Sequence, residues 1–425
     1  MVLLERDWGS GSMSAHLDRA AADLALAPSE ERTERAAALR AAAAEAGVFA
    51  ASIEPIYTGL ALGELPAMTV PAMNLRGLTY DVARAAWRAA AALDAGPIIF
   101  ELAPSEADVT LQRFDEYAAM VLAAATREGY EGPVFLQGDH FDIAEDTPAS
   151  LERVQTLWAE ASAAGTMQVD IDAAALADME AADAARRQAR NARATATMIA
   201  MIRDTSGDGV VIGGEVGEIG GSNTRPDDLR AFLDQVRAEL PAGTTGLGKV
   251  SVQTGTRHGG VVTADGSTAE MPLDVELASR LSAIARDEYG LPGVVQHGAS
   301  TLTLQQQGRL PDAGVIEVHL ATGFQNSILD HPALPSELVE RMKDELVGPV
   351  RHAEGGKHGA AVTSEQRFYQ NRWQAWGRFK RSLWTLPEDV RAAIGATLEE
   401  RFAELFTALG VAGRRDALSR IPRPR

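Results

Sequence analysis

Four of the eight histidines stand at or just beyond the ends of short apolar, β-branched runs: His140 after PVFLQGD, His258 after KVSVQTG, His297 in PGVVQHG and His319 in GVIEVHL. Two carboxylates share that placement, Asp139 immediately before His140 and Glu215 at the end of GVVIGGE. Neutral imidazoles with a carboxylate and an open coordination position describe a catalytic divalent site. The chain has no cysteine, so disulfides, zinc ribbons, iron–sulfur clusters and thiol nucleophiles are excluded. His140, His258 and His297 are then the natural ligands, with Glu215 as a fourth or alternate one. Zn²⁺ is the first choice of ion, and Co²⁺, Mn²⁺ or Fe²⁺ would also suit such donors. Asp139 adjoins a ligand and can carry a proton in the same cavity. Glycines cluster beside these residues, at Gly217, Gly220 and Gly221, at Gly255, Gly259 and Gly260, and at Gly298. Loops of this kind let backbone N–H groups approach an anion closely. HGAST running into LTLQQQG, and ATG running into FQNSILD, read as a phosphate cradle.

The elements that must position these residues follow a beat. Apolar runs occur at 69–75, 97–103, 133–139, 166–172, 209–215, 249–255, 292–298 and 314–320, and helical segments such as DVARAAWRAAAALDAG separate most of them. Strands alternating with helices imply βαβ units and a parallel sheet. Near-continuous apolar strands are what a sheet covered on both faces requires. Eight units over about 250 residues predict an α/β fold of the (β/α)₈ barrel type, whose chemistry sits at the C-terminal strand ends.

Around that barrel, expected over 67–333, the sequence predicts an Ala-rich helical N-terminal extension (1–66) and a helical C-terminal extension (334–425). Trp373, Trp376 and Trp384 fall among basic residues, a composition typical of contact surfaces, which predicts a homodimer or larger homo-oligomer. With 40 Lys and Arg against 59 Asp and Glu, the net charge is −19. Such a chain repels nucleic-acid backbones and anionic membranes, so neither is an expected partner. No run of 18 or more apolar residues is present, so nothing is expected to span a membrane, and the cytoplasm is the expected compartment.

VFLQGDHFD, GGEVGEIGG, VSVQTGTRHGG, VVQHGAST and GVIEVHLATGFQ resemble, in order and spacing, the class II metal-dependent aldolases of ketose bisphosphates, the fructose- and tagatose-bisphosphate type. The likeness covers roughly 68–330 and includes TVPAMNL as the first strand. It implies reversible aldol cleavage of a sugar phosphate through a metal-stabilised enediolate. By the resemblance His140, His258 and His297 match the zinc ligands, Glu215 the carboxylate beside the metal, and Asp139 the acid/base at the aldol C4 hydroxyl. Gly259, Gly298, Ser300 and Thr322 match phosphate-holding positions, and Asn74 a substrate-facing Asn.

Departures from the pattern point to an altered substrate. The acidic loop expected after Gly221 is replaced by Ser222-Asn223-Thr224-Arg225-Pro226, which leaves Glu218, or else Asp142, as the second proton carrier. The segment after the HGG motif reads VVTADGS, without the family's Lys, and His319 stands where the family has Asn, facing the substrate. The expectation is therefore an aldolase acting on a phosphorylated or otherwise anionic ketose. Its alternatives are a metal-dependent lyase or isomerase on a non-phosphorylated sugar or keto-acid, and a non-catalytic stabilising subunit.

Overall fold

The computed structural model describes residues 13–217, 221–256, 261–263, 268–269, 271–347 and 363–423. Eleven strands occur among them: β1 (Val48–Ala50), β2 (Val70–Asn74), β3 (Ile99–Leu102), β4 (Gly132–Asp142), β5 (Gln168–Asp172), β6 (Val211–Val216), β7 (Lys249–Val252), β8 (Val261–Val262), β9 (Thr268–Ala269), β10 (Val294–Gln296) and β11 (Val315–Leu320). Eight of them pair in the order β4-β3-β2-β11-β10-β7-β6-β5, and a β4–β5 ladder closes the ring. The result is a closed, all-parallel (β/α)₈ barrel, and each of the eight apolar runs overlaps one barrel strand. Every residue of β2, β3, β6, β7, β10 and β11 is buried. One face packs into the barrel and the other under the helices, which is why β-branched and apolar residues dominate these strands and their polar residues fall at a spacing of two.

Three of the helices between the strands begin at side-chain caps. Thr147 accepts from Ser150 N–H ahead of 148–163, Asp183 from Arg186 N–H ahead of 184–206, and Asp274 from Leu277 N–H ahead of 275–289. Each satisfies a backbone donor left open in the first turn.

The N-terminal segment is not wholly helical. Between the helices Ser29–Glu45 and Glu54–Ala61, β1 pairs in parallel with the start of β4, Val48 opposite Gly132. Three residues are too few to show a period, so only the tertiary partner reveals this strand. Ile53 N–H then donates to Gln168 Oε1 at 3.2 Å, and the Tyr57 hydroxyl donates to Glu317 inside the barrel. The segment thus closes the N-terminal end of the barrel with a polar plug.

The C-terminal helices pack on the helices around the barrel and touch the N-terminal segment, where Arg420 pairs with Glu64 at 2.8 Å. The helix Glu388–Ala408 packs on Thr79–Ala92, and the buried indole of Trp376 sits on Gly77 while its N–H donates to Gln325 at 3.0 Å. Trp384 is buried as well. Trp376 and Trp384 thus pack within the chain, whereas Trp373 is half-buried. Among the described residues no helix is long and apolar enough to cross a membrane.

Candidate active site

Consecutive strand residues normally point to opposite faces, yet Asp139 and His140 both reach the pocket at the barrel's C-terminal end. The β4–β5 register shifts between Gly138 and Phe141, and His140 adopts φ 45°. This bulge turns His140 onto the same side as Asp139, with its Nε2 3.8 Å from Asp139 Oδ1. Left-handed backbone at a non-glycine residue is costly and persists where surrounding contacts over-determine it. Here Asp172 Oδ2 lies 3.1 Å from His140 Nδ1, and Glu215 Oε2 3.5 Å from it.

His297, at the end of β10, brings its Nδ1 to 3.1 Å from His140 Nε2, while Ser251 Oγ of β7 lies 3.0 Å from its Nε2. Donor atoms of His140, Glu215 and His297 all fall within 4.8 Å of one another. Among the described residues the buried Glu215 Oε2 has no hydrogen-bonding partner. Two imidazole nitrogens converging at 3.1 Å beside an orphaned carboxylate oxygen fit a divalent cation by donor chemistry and by proximity. Burial, then Asp172, pushes the Glu215 pKa well up. Burial opposes a charged His140, but Asp139, Glu215 and Asp172 outweigh it and raise its pKa. A bound cation would displace those protons and use the same negative field.

Asp139 is held on two sides. Asn74, at the end of β2, donates to its Oδ2 at 3.1 Å and to Glu106 at 2.7 Å, and Arg76 anchors Glu106 at 2.6 Å. His319 Nδ1 lies 3.0 Å from Asp139 Oδ1. Burial would raise the Asp139 pKa, but the charges of His140 and His319 and the His319 hydrogen bond hold it well below the usual carboxylate range. It is kept ionised.

His319 sits one layer deeper, 4% exposed, with its ring stacked on His297 at 3.9 Å. Its neighbours are Asp139, Glu101 at 3.2 Å and Glu317 at 2.6 Å. Below it lies a polar barrel interior. Lys249 Nζ bonds Glu317 at 2.6 Å, Gln137 at 2.7 Å and Asp170 at 3.0 Å, and Gln137 donates to both Glu101 and Glu317 at 2.8 Å. Gly213 makes room for this layer, since a Cβ there would stand 2.0 Å from Asp170 Oδ1.

Gly298, Ser300 and Thr322 meet at the ends of β10 and β11. Ala321 N–H donates to Ser300 Oγ at 2.7 Å, Gly298 has φ 65°, and Thr322 opens the helix Thr322–Leu329. Glu218, His258 and Gly259 lie outside the described residues. Asp142 joins His140 and Asp172 in a separate cluster, its pKa pushed up to about 6 by partial burial and by Asp172.

The sequence matches the family described as fructose-bisphosphate aldolase class-II over residues 65–368. The chain belongs to the class II fructose-bisphosphate aldolase family. No curated protein sequence matches it. Solved structures with the same fold include the YdjI aldolase from Escherichia coli K12, at 15% identity and TM-score 0.53, covering 86% of this chain and all (100%) of that one. Fructose-bisphosphate aldolase from Campylobacter jejuni aligns at 17% identity and TM-score 0.52, over 86% of this chain and 96% of that one. A fructuronate-tagaturonate epimerase, UxaE from Cohnella laeviribosi, aligns at 13% identity and TM-score 0.54, over 82% of each chain.

In this class II family member, sequence reasoning passed over Glu101, Glu106, Asp170, Asp172, Lys249, Ser251 and Glu317. Most carried a signal. Asp170 and Asp172 in QVDID, Lys249 and Ser251 in KVSV, and Glu317 and His319 in VIEVHL are spaced by two. Polar residues at that spacing in a buried strand share one face, and here it is the barrel interior. Glu106 carried no such signal, because it stands on a helix.

Proposed function

We propose that this family member is a divalent-metal-dependent aldolase that reversibly cleaves a phosphorylated or otherwise anionic ketose. The observation that carries the reading is the β4 bulge, which sets an ionised Asp139 beside His140, His297 and Glu215. His140, His297 and Glu215, with His258, would hold the ion, and Zn²⁺ is our choice, ahead of Co²⁺, Mn²⁺ or Fe²⁺. When bound, such an ion polarises the ketone carbonyl as a Lewis acid. Asp139 takes the proton of the C4 hydroxyl as the C3–C4 bond breaks, the electron pair stays on C3 and C4 becomes the aldehyde. Asn74, braced by Glu106, keeps the Asp139 carboxylate aimed. Gly298, Ser300, Thr322 and Gly259 receive the anionic end, and Glu218 returns a proton to C3.

A second reading has one observation in its favour. His319 lies 3.0 Å from Asp139, which places two proton carriers at one spot, as an isomerase or epimerase acting on a non-phosphorylated sugar acid would need. The test is Asp139→Asn, assayed for cleavage of ketose phosphates, for epimerisation of sugar acids and for bound metal. Loss of a positioned general base lowers the rate by about 10²–10⁴-fold with metal retained. A variant that cleaves at the wild-type rate refutes the aldolase mechanism. A wild-type chain without stoichiometric metal favours a non-catalytic subunit.

A further inference from the structure

The C-terminal helix Glu388–Ala408 carries an arginine that its own surroundings do not explain. Arg401 is half-buried, and burial disfavours its charge. Among the described residues its guanidinium makes no hydrogen bond and no ion pair, and the carboxylate that acts on it, Glu404, stands outside ion-pair distance. A partly desolvated cation without a partner is costly, and a ligand that pairs with it removes that cost.

Its position says which ligand. A methyl group placed on Gly323 would meet Arg401 Nη2 at 2.6 Å and the Ser300 carbonyl at 3.1 Å. The guanidinium therefore lies against the first turn of Thr322–Leu329, beside the segment that holds Ser300. A cavity of about 240 Å³ is bounded there by Ser300, Thr303, Gln307, Gly323, Arg401 and Glu404, with leucine and phenylalanine side chains behind them. The segments that form this end of the barrel, 297–308 and 321–329, contain neither Lys nor Arg. They offer hydroxyls, backbone N–H groups and a helix start, but no full positive charge.

We propose that Arg401, from a helix beyond the family-matched span 65–368, supplies the charge that binds the anionic group of the substrate between Ser300 and the Thr322–Leu329 helix. The guanidinium fork suits a phosphate or a carboxylate, both of which accept two parallel N–H bonds. This rests on the aldolase reading only for the identity of the ligand, and it makes the C-terminal extension part of the binding site.

The test is calorimetric titration of the full chain with inorganic phosphate and, separately, with a hexuronate. It compares wild type, Arg401→Gln, Arg401→Lys and Gly323→Ala, with Tm and metal content measured on each. Wild type is expected to bind one of the two anions, and the better one names the anionic group. Arg401→Gln should weaken that binding at least about tenfold at unchanged metal content, and Arg401→Lys should restore part of it, since it returns charge without the fork. Gly323→Ala should weaken it too, because the added methyl displaces the guanidinium while leaving its charge. A wild-type chain that binds neither anion overturns the proposal, as does unchanged affinity in Arg401→Gln. Carbon–carbon cleavage is scored separately. Anion binding that needs Arg401 without any cleavage refutes the aldolase reading and leaves this inference standing, and cleavage with Arg401-independent binding does the reverse.

Discussion

Lys249→Met removes the ammonium from the barrel interior while keeping a side chain of similar length, so little cavity is created. In the wild type Nζ lies 2.6 Å from Glu317 and 3.0 Å from Asp170, with no part of the side chain exposed. Breaking a buried ion pair from one side costs about 3–5 kcal/mol, because the remaining charge has no counterpart. Glu317 keeps Tyr57, Gln137 and His319, and Asp170 keeps His319 at 3.5 Å, so the low end, about 3 kcal/mol, is the expectation. Unfolding entropy near about 2.1 cal/mol/K per residue gives about 0.9 kcal/mol/K for 425 residues. The melting temperature should therefore fall by about 3 °C, measured by scanning calorimetry at pH 8. Burial alone would raise the Glu317 pKa, but Lys249 and then His319 bring it far below the usual range. A carboxylate depressed in this way stabilises the fold above its unfolded pKa of about 4.3 and loses that contribution as pH falls. The gap between wild type and variant should hold from pH 8 to about pH 5 and narrow only below about pH 4. Adding Glu317→Gln to Lys249→Met should recover part of the loss, since the two sites share one contact. An unchanged or higher Tm for Lys249→Met at pH 8 would refute this account of the interior.

Three further outcomes are expected. His297→Ala should weaken metal binding by more than about 100-fold, and full occupancy by elemental analysis would contradict the ligand assignment. Burial and Asp172 raise the Glu215 pKa, so its contribution to stability is complete below the unfolded value and lost as pH rises toward the folded one. Glu215→Gln should accordingly raise the Tm of the metal-free protein at pH 7, leave it nearly unchanged at pH 4 and weaken metal binding. Equal Tm changes at both pH values would falsify that sign. Gly77→Ala would set a Cβ 1.9 Å from the Trp376 ring, and such overpacking costs about 1–3 kcal/mol, or about 1–3 °C here, so an unaltered Tm would show that the indole can move.

The barrel was legible because its strands are covered on both faces. PIIFELA, GVVIGGE and GVIEVHL are apolar almost without interruption, and the Ala-rich helices between them leave few other parallel folds open. Much of the candidate site was legible for a related reason. The fold puts chemistry at C-terminal strand ends, so Asp139, Glu215 and His297 could be named from position alone, and the polar interior was at least readable in the spacing of two between Asp170 and Asp172 or Glu317 and His319.

Other features belong to the tertiary structure. Sequence reading placed His319 facing the substrate. The fold sets it a layer lower, between Asp139, 180 residues away, and Glu317. Trp376, in a segment whose composition reads as a contact surface, is received by Gly77 and Gln325 of the same chain. By itself, the sequence determined which residues form strands and which of their side chains share a face, because those are local consequences of side-chain period and burial. Tertiary structure alone decided that β4 bulges to turn His140 toward Asp139, that Lys249 meets Glu317 across 68 residues, and that Arg401 lies against Gly323. Each of these depends on which distant segments the closed ring brings together, and no local pattern encodes a partner across the barrel.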